Sequence, residues 1–168
     1  MDSSWMFSTK DVNKIKARMD LRATAGDGLR ALSALESYIN ASDISRGVLD
    51  LVRLRVSQIN GCAFCVDLHA YDLKQAGESD ERIWALAAWR DAPYYSEAER
   101  AALALAETAT RLHDNPNGVM EPVWDLAAMY YPEGQLAVLV LAIASINAWN
   151  RINVANRQVA GAARHAGP

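Results

Sequence analysis

Cysteine and histidine are scarce in this chain, with two and three residues among 168. One cysteine pair and one nearby histidine supply three metal ligands, whereas structural zinc sites want four. The other histidines, His113 and His165, lie far off in sequence, which disfavours zinc. No basic cluster stands out and the formal charge is −3, so neither a nucleic-acid footprint nor disorder is suggested. Residues 1–10 lack a positive start followed by an apolar run, so no signal peptide is visible. The longest apolar stretch, residues 136–146, is too short to span a bilayer and reads as a buried helix. No stretch alternates polar and apolar residues with period two. The expectation is therefore an all-α, cytoplasmic single domain without membrane or nucleic-acid partners, its thiols reduced at rest. The absence of strands also removes the cysteines from a thioredoxin-like βαβ setting.

Half of the residues are hydrophobic, enough for a substantial core. Leu29, Leu32, Leu35 and Ile39 recur at helical spacing and predict a helix over 29–40, with 22–28 as a connection. A second helix is expected over 44–59, with Val48, Val52, Val56 and Ile59 as its core stripe and Arg46, Asp50, Arg53 and Ser57 on another side. Ser79 caps a helix over 80–90, and Ser96 with Glu99 forms a capping box for one over 97–113. Residues 114–118 are the clearest loop. Pro122 suits the first turn of a helix reaching 130, and Pro132 starts the last, as far as 160. That final helix is apolar all round over 136–146, which calls for enclosure on every side or contact with another subunit. Trp84, Trp89 and Trp124 read as core or interface anchors. The domain plan is an N-terminal segment over 1–27, a helical domain over 28–160 and a tail over 161–168. Trp5, Met6 and Phe7 in the first segment either hook onto a neighbouring subunit or cap this one.

The chemistry concentrates in residues 58–69. Asn60-Gly61 is a break signal, and Cys62 opens a new helix running to about 76. Offsets of three, four and seven residues put Cys62, Cys65, Val66, His69 and Leu73 on one face. A free thiol has a pKa of about 8.5, so only a small fraction is the nucleophilic thiolate at neutral pH. A helix N-terminus, a second thiol one turn away and the imidazole of His69 one turn beyond Cys65 each raise that fraction. Attack on a peroxide gives a sulfenic acid, which the neighbouring thiol condenses with to form a disulfide. A structural disulfide and two ordinary buried cysteines are the competing readings. Asp50, twelve residues before Cys62, either meets His69 and fixes its tautomer or pairs with Arg46 or Arg53. The run 145–151, with Asn147, Asn150 and Arg151, either knits the core or borders a pocket.

Residues 51–65 together with His69 resemble the carboxymuconolactone decarboxylase family, most closely its AhpD-like alkylhydroperoxidase branch, and Ile146-Asn147-Ala148-Trp149-Asn150-Arg151 is similar to the same branch. The resemblance implies a helical bundle of six to seven helices that assembles into trimers or hexamers and acts as a dithiol peroxidase without a cofactor. It implies that Cys65 becomes the sulfenic acid, Cys62 resolves it, and His69 with Asp50 relays protons. The substrate would be a hydroperoxide, and the reductant an external dithiol such as a lipoyl group or a thioredoxin-like protein. Two departures stand out. Asp50 is one methylene shorter than the family's usual Glu, and Phe64 stands where some members carry a second His. A redox adaptor serving another peroxidase would look the same in sequence. The lactone decarboxylase branch shares the fold without relying on a cysteine pair.

Overall fold

A computed structural model describes residues 16–162. Trp5, Met6, Phe7 and His165 lie outside the described residues. Within them the chain forms seven α-helices and no strand: α1 (Leu21–Asn40), α2 (Arg46–Asn60), α3 (Ala63–Gln75), α4 (Asp80–Ala85), α5 (Glu97–Thr110), α6 (Glu121–Tyr130) and α7 (Glu133–Asn156), with one 3-10 turn, Leu86–Ala88, after α4.

Local chemistry sets most of the ends. Ser45, Ser79 and Ser96 each accept a backbone N–H from the first turn that follows, and Glu99 returns the bond to complete the capping box at α5. The connection expected over 22–28 is helical instead. The Asp20 carboxylate accepts the N–H groups of Arg22 and Ala23, which starts α1 a full two turns early. The helix is interrupted at Ala25 (φ −139°, ψ 35°), immediately before Gly26, and resumes. At the other end of the chain α7 stops at Asn156 rather than 160, because Arg157 turns into the left-handed region with φ 54°.

Two helices organise the core. α2 is sandwiched: Leu49, Val52 and Val56 pack with Ile39, Leu105, Leu139 and Ile143 on one side, while Leu51 and Leu54 join Leu73, Leu86, Trp89 and Leu103 on the other. The polar side expected for α2 is buried as well, with Asp50 2%, Arg53 3% and Ser57 0% exposed. α7 packs against α1, α2, α3, α5 and α6. Its length and mean hydropathy of 1.3 would suit a membrane span, yet it lies in the bundle with part of its apolar surface buried. It is not enclosed on every side: Val140 and Leu141 remain exposed, as do Trp124, Met129 and Tyr130 of α6. Trp89 is buried as a core anchor, whereas Trp84 is 74% exposed among the described residues and is not part of the core.

A charged joint ties the second half of the core. Glu107 on α5 accepts hydrogen bonds from Arg55 of α2 (2.8 Å) and Trp89 (3.1 Å), and pairs with Arg90 at 3.0 Å. Burial alone would push its carboxyl up, but the hydrogen bonds from Arg55, Trp89 and Arg90 outweigh it and hold it at about 2, below the ordinary 4.5. The folded state therefore binds this proton more weakly than the unfolded chain. The stabilisation is full above pH 4.5 and lost as pH falls towards 2. Glu107→Gln should lower the unfolding free energy at pH 7 by about 1–3 kcal/mol, and the gap to the parent should close as pH falls through that window. Denaturant unfolding at several pH values checks this; a gap independent of pH would contradict it.

Candidate active site

The site begins with a backbone turn. Gly61 ends α2 with φ 66°, the left-handed region that residues with a β-carbon enter at a cost. The Cys62 N–H then donates to Ser57 O at 3.1 Å, which closes the end of α2 and sets Cys62 as the residue that caps α3. Cys62 thus stands one position before the helix rather than within its first turn. Its Sγ accepts the Cys65 N–H at 3.3 Å, so that sulfur sits among the unpaired N–H groups of a helix start.

Cys62 and Cys65 are joined by a disulfide. Both are almost completely buried, 1% and 2% exposed. Cys65 lines a cavity of about 1070 Å³; Cys62 does not. One further side chain meets the cavity-lining sulfur: Asn153 of α7 donates through Nδ2 to Cys65 Sγ at 3.4 Å.

The cavity lies between α1, α2, α3 and the C-terminal half of α7. Its apolar wall includes Phe64 and Leu68 beside Cys65, Leu29 from α1, and Ile146, Trp149 and Ile152 from α7. His69 lines the same space, one turn beyond Cys65. The carboxylate beside His69 is that of Asp72, with Oδ2 3.6 Å from Nδ1. That is beyond hydrogen-bond reach, and Nδ1 is buried without a partner.

Asp50 is engaged elsewhere. Its carboxylate accepts from Arg46 Nε and from Arg53 Nη1, both at 2.9 Å. Arg53 in turn donates through Nη2 to Glu36 Oε2 and Asn40 Oδ1 of α1, both at 2.8 Å, and Glu36 accepts from Ser145 of α7. Two cations and two carboxylates form a compensated group, and that compensation is what permits its burial. Of the two arrangements open to Asp50 in the sequence, the structure forms the arginine pairing, with both arginines at once. Arg53, Glu36 and Asn40 border the cavity, whereas Asp50 does not.

The residues singled out in the sequence are thus divided. Cys65 and His69 share the cavity wall, Cys62 is bonded behind Cys65, and Asp50 buttresses the polar end through Arg53. The amides of 145–151 knit the core: Asn60 Nδ2 donates to Asn147 Oδ1 at 3.0 Å and Asn150 Oδ1 at 2.9 Å, and Asn150 donates to Ser57 Oγ at 3.1 Å. Asn153, Asp72 and Glu36 were not singled out. For Asn153 a signal exists, because asparagine recurs at 147, 150, 153 and 156 of α7. Glu36 and Asp72 carry no such mark. Among the described residues, no group of three or more His, Cys, Asp or Glu side chains is placed to hold a metal ion.

Residues 23–108, half of the chain, match the sequence model of the carboxymuconolactone decarboxylase family. The uncharacterized protein YdfG of Bacillus subtilis is 38% identical over 138 residues, covering 82% of this chain and 92% of YdfG. A crystal structure from Agrobacterium tumefaciens, of a protein of unknown function with a suggested role as the antioxidant defence protein AhpD, superposes with a TM-score of 0.82 and 31% identity. It covers 86% of this chain and 98% of that one. The alkylhydroperoxidase AhpD core of an uncharacterized peroxidase-related protein from Ralstonia eutropha shares the fold, with a TM-score of 0.73 at 17% identity over 84% of this chain and 75% of that one. The chain belongs to the carboxymuconolactone decarboxylase family, in its AhpD-like branch.

Proposed function

We propose that the protein is a cytoplasmic thiol peroxidase that reduces organic hydroperoxides through the Cys62–Cys65 pair. The observation that carries this reading is the placement of that pair. It lies at a helix start, buried, with only Cys65 of the two opening onto a cavity of mixed polar and apolar lining that also holds His69. The suggested antioxidant role of the Agrobacterium relative supports it.

In the reduced protein the Cys65 thiolate attacks the terminal oxygen of ROOH. The O–O bond breaks, Cys65 becomes a sulfenic acid, and the departing alkoxide takes a proton from the protonated His69 to leave as ROH. Cys62 then attacks the Cys65 sulfur, forms the disulfide and expels the hydroxyl, which leaves as water with the Cys62 proton. The two electrons that reduce the hydroperoxide come from the dithiol. An external dithiol, a lipoyl group or a thioredoxin-like protein, restores both thiols by exchange. His69 acts as the proton carrier between solvent and sulfur. Asp50 serves this scheme from a distance, by holding Arg53 at the polar end of the cavity rather than by touching the imidazole.

Because Cys65 carries the first step, Cys65→Ser should lower hydroperoxide consumption at least a hundredfold in the presence of a dithiol reductant. Cys62→Ser should still consume about one equivalent and then stall with Cys65 as a sulfenic acid, detectable by dimedone trapping. Parent-like turnover by the Cys65 variant would contradict the proposal.

The exposed apolar side chains of Val140 and Leu141 on α7 and of Trp124 and Met129 on α6 are best covered by further copies of the chain, in a trimer or hexamer. Light scattering should give a mass that is a multiple of 18.4 kDa. Leu141→Asp should shift it towards the monomer. A monomeric parent would contradict the assembly.

A further inference from the structure

Three of the four regularly spaced asparagines of α7 are explained by packing. Asn147 donates to Thr110 Oγ1 and Ile143 O, Asn150 to Ser57 Oγ, and Asn156 to the carbonyl of Met19, where it pins the chain entering α1. Asn153 is different. Its Nδ2 donates to a sulfur, Cys65 Sγ, on the wall of the cavity. A disulfide sulfur is a weak acceptor. A thiolate at the same place is an anion, and a hydrogen bond to an ionised acceptor is about twice as strong as a neutral one. The amide is therefore placed to do more for the reduced protein than for the oxidised form seen here.

We propose that Asn153 is a catalytic residue, whose side-chain N–H donates to the Cys65 thiolate, keeps that sulfur ionised at neutral pH and holds it towards the cavity. The proposal deepens the peroxidase reading, since it names the group that prepares the attacking sulfur.

The surrounding charges leave room for such a donor. On α2, Arg46 and Arg53 are committed to Asp50 and Glu36. On α3, His69 and Asp72 face each other at 3.6 Å. α1 brings Arg22, Arg30 and Glu36 to the cavity lining, its capping residue Asp20 joins them, and α7 brings no titratable side chain to it. Among the described residues, Asn153 is the side chain outside the cysteine pair that donates to Cys65 Sγ.

The experiment uses the reduced full-length protein and iodoacetamide, with modification of Cys65 followed by tandem mass spectrometry from pH 5 to 10. Asn153→Leu removes the donor and should move the Cys65 titration up by about one pH unit, a roughly tenfold slower alkylation at pH values below the parent's midpoint and a smaller slowing at pH 7. The two rates should converge at pH 10. Asn153→Asp keeps the side-chain shape, turns an acceptor to the thiolate and should move the titration further up. Circular dichroism and thermal melting establish that the variants are folded, and the near-isosteric Asp variant serves if the Leu variant does not fold. A Cys65 profile unchanged from the parent in a folded variant would overturn the proposal. Alkylation does not involve hydroperoxide, so a displaced profile alongside a parent inert towards hydroperoxide would support the role of Asn153 and overturn the peroxidase reading.

Discussion

The turn at Gly61 is the constraint on which the site depends. A left-handed residue between two helices lets α2 stop and α3 start within two residues, so that Cys62 becomes a cap and Cys65 lies one turn in. The turn is welded in place from outside. Asn60, immediately before it, donates to both Asn147 and Asn150, and Asn150 returns a bond to Ser57 on α2. Each of these amides would cost about 1–3 kcal/mol if buried without its partner. Together they fix α7 against the break, and the same helix then delivers Asn153 and the apolar cavity wall.

The second structural theme is charge in a dry place. Arg46, Asp50, Arg53 and Glu36 alternate in sign along a connected group, with Asp50 and Arg53 buried. Removing one member would leave an uncompensated buried charge, far more costly than the group as a whole. By linking α1, α2 and, through Ser145, α7, the group fixes three of the four helices that wall the cavity. Its Arg46, Arg53 and Glu36 line the cavity together with the apolar Phe64, Trp149 and Ile152.

Much of this was legible in the sequence. Helical periodicity, Ser and capping-box signals and the Asn-Gly break are local features, and they placed α2, α3, α5, α6 and α7 to within a few residues, with the cysteines and His69 on one face. What failed was long-range or depended on a partner. The helical start of α1 rests on one aspartate side chain, stronger here than the opposing glycines. The last part of the predicted 80–90 helix tightens into a 3-10 turn where Leu86 and Trp89 must reach the core. For Asp50 spacing left His69 and the arginines of its own helix both open; the arginines won, and tertiary packing added Glu36 to Arg53, seventeen residues away. For Trp84 the sequence left core and interface both open, and its exposure excludes the core. Asn153 meets Cys65 across 88 positions of chain, a contact no periodicity encodes.

The account rests on Cys65 reacting with hydroperoxide directly, rather than passing electrons to a separate peroxidase. The most direct measurement mixes the fully reduced protein with a stoichiometric organic hydroperoxide, no reductant and no other protein present, and follows free thiols and intact mass over time. The account predicts loss of two thiols per hydroperoxide within seconds, a mass lower by about two hydrogens from the Cys62–Cys65 disulfide, and one equivalent of alcohol. Thiols that persist for minutes in excess hydroperoxide, yet reduce a partner's disulfide readily, would contradict it and make the protein a redox adaptor.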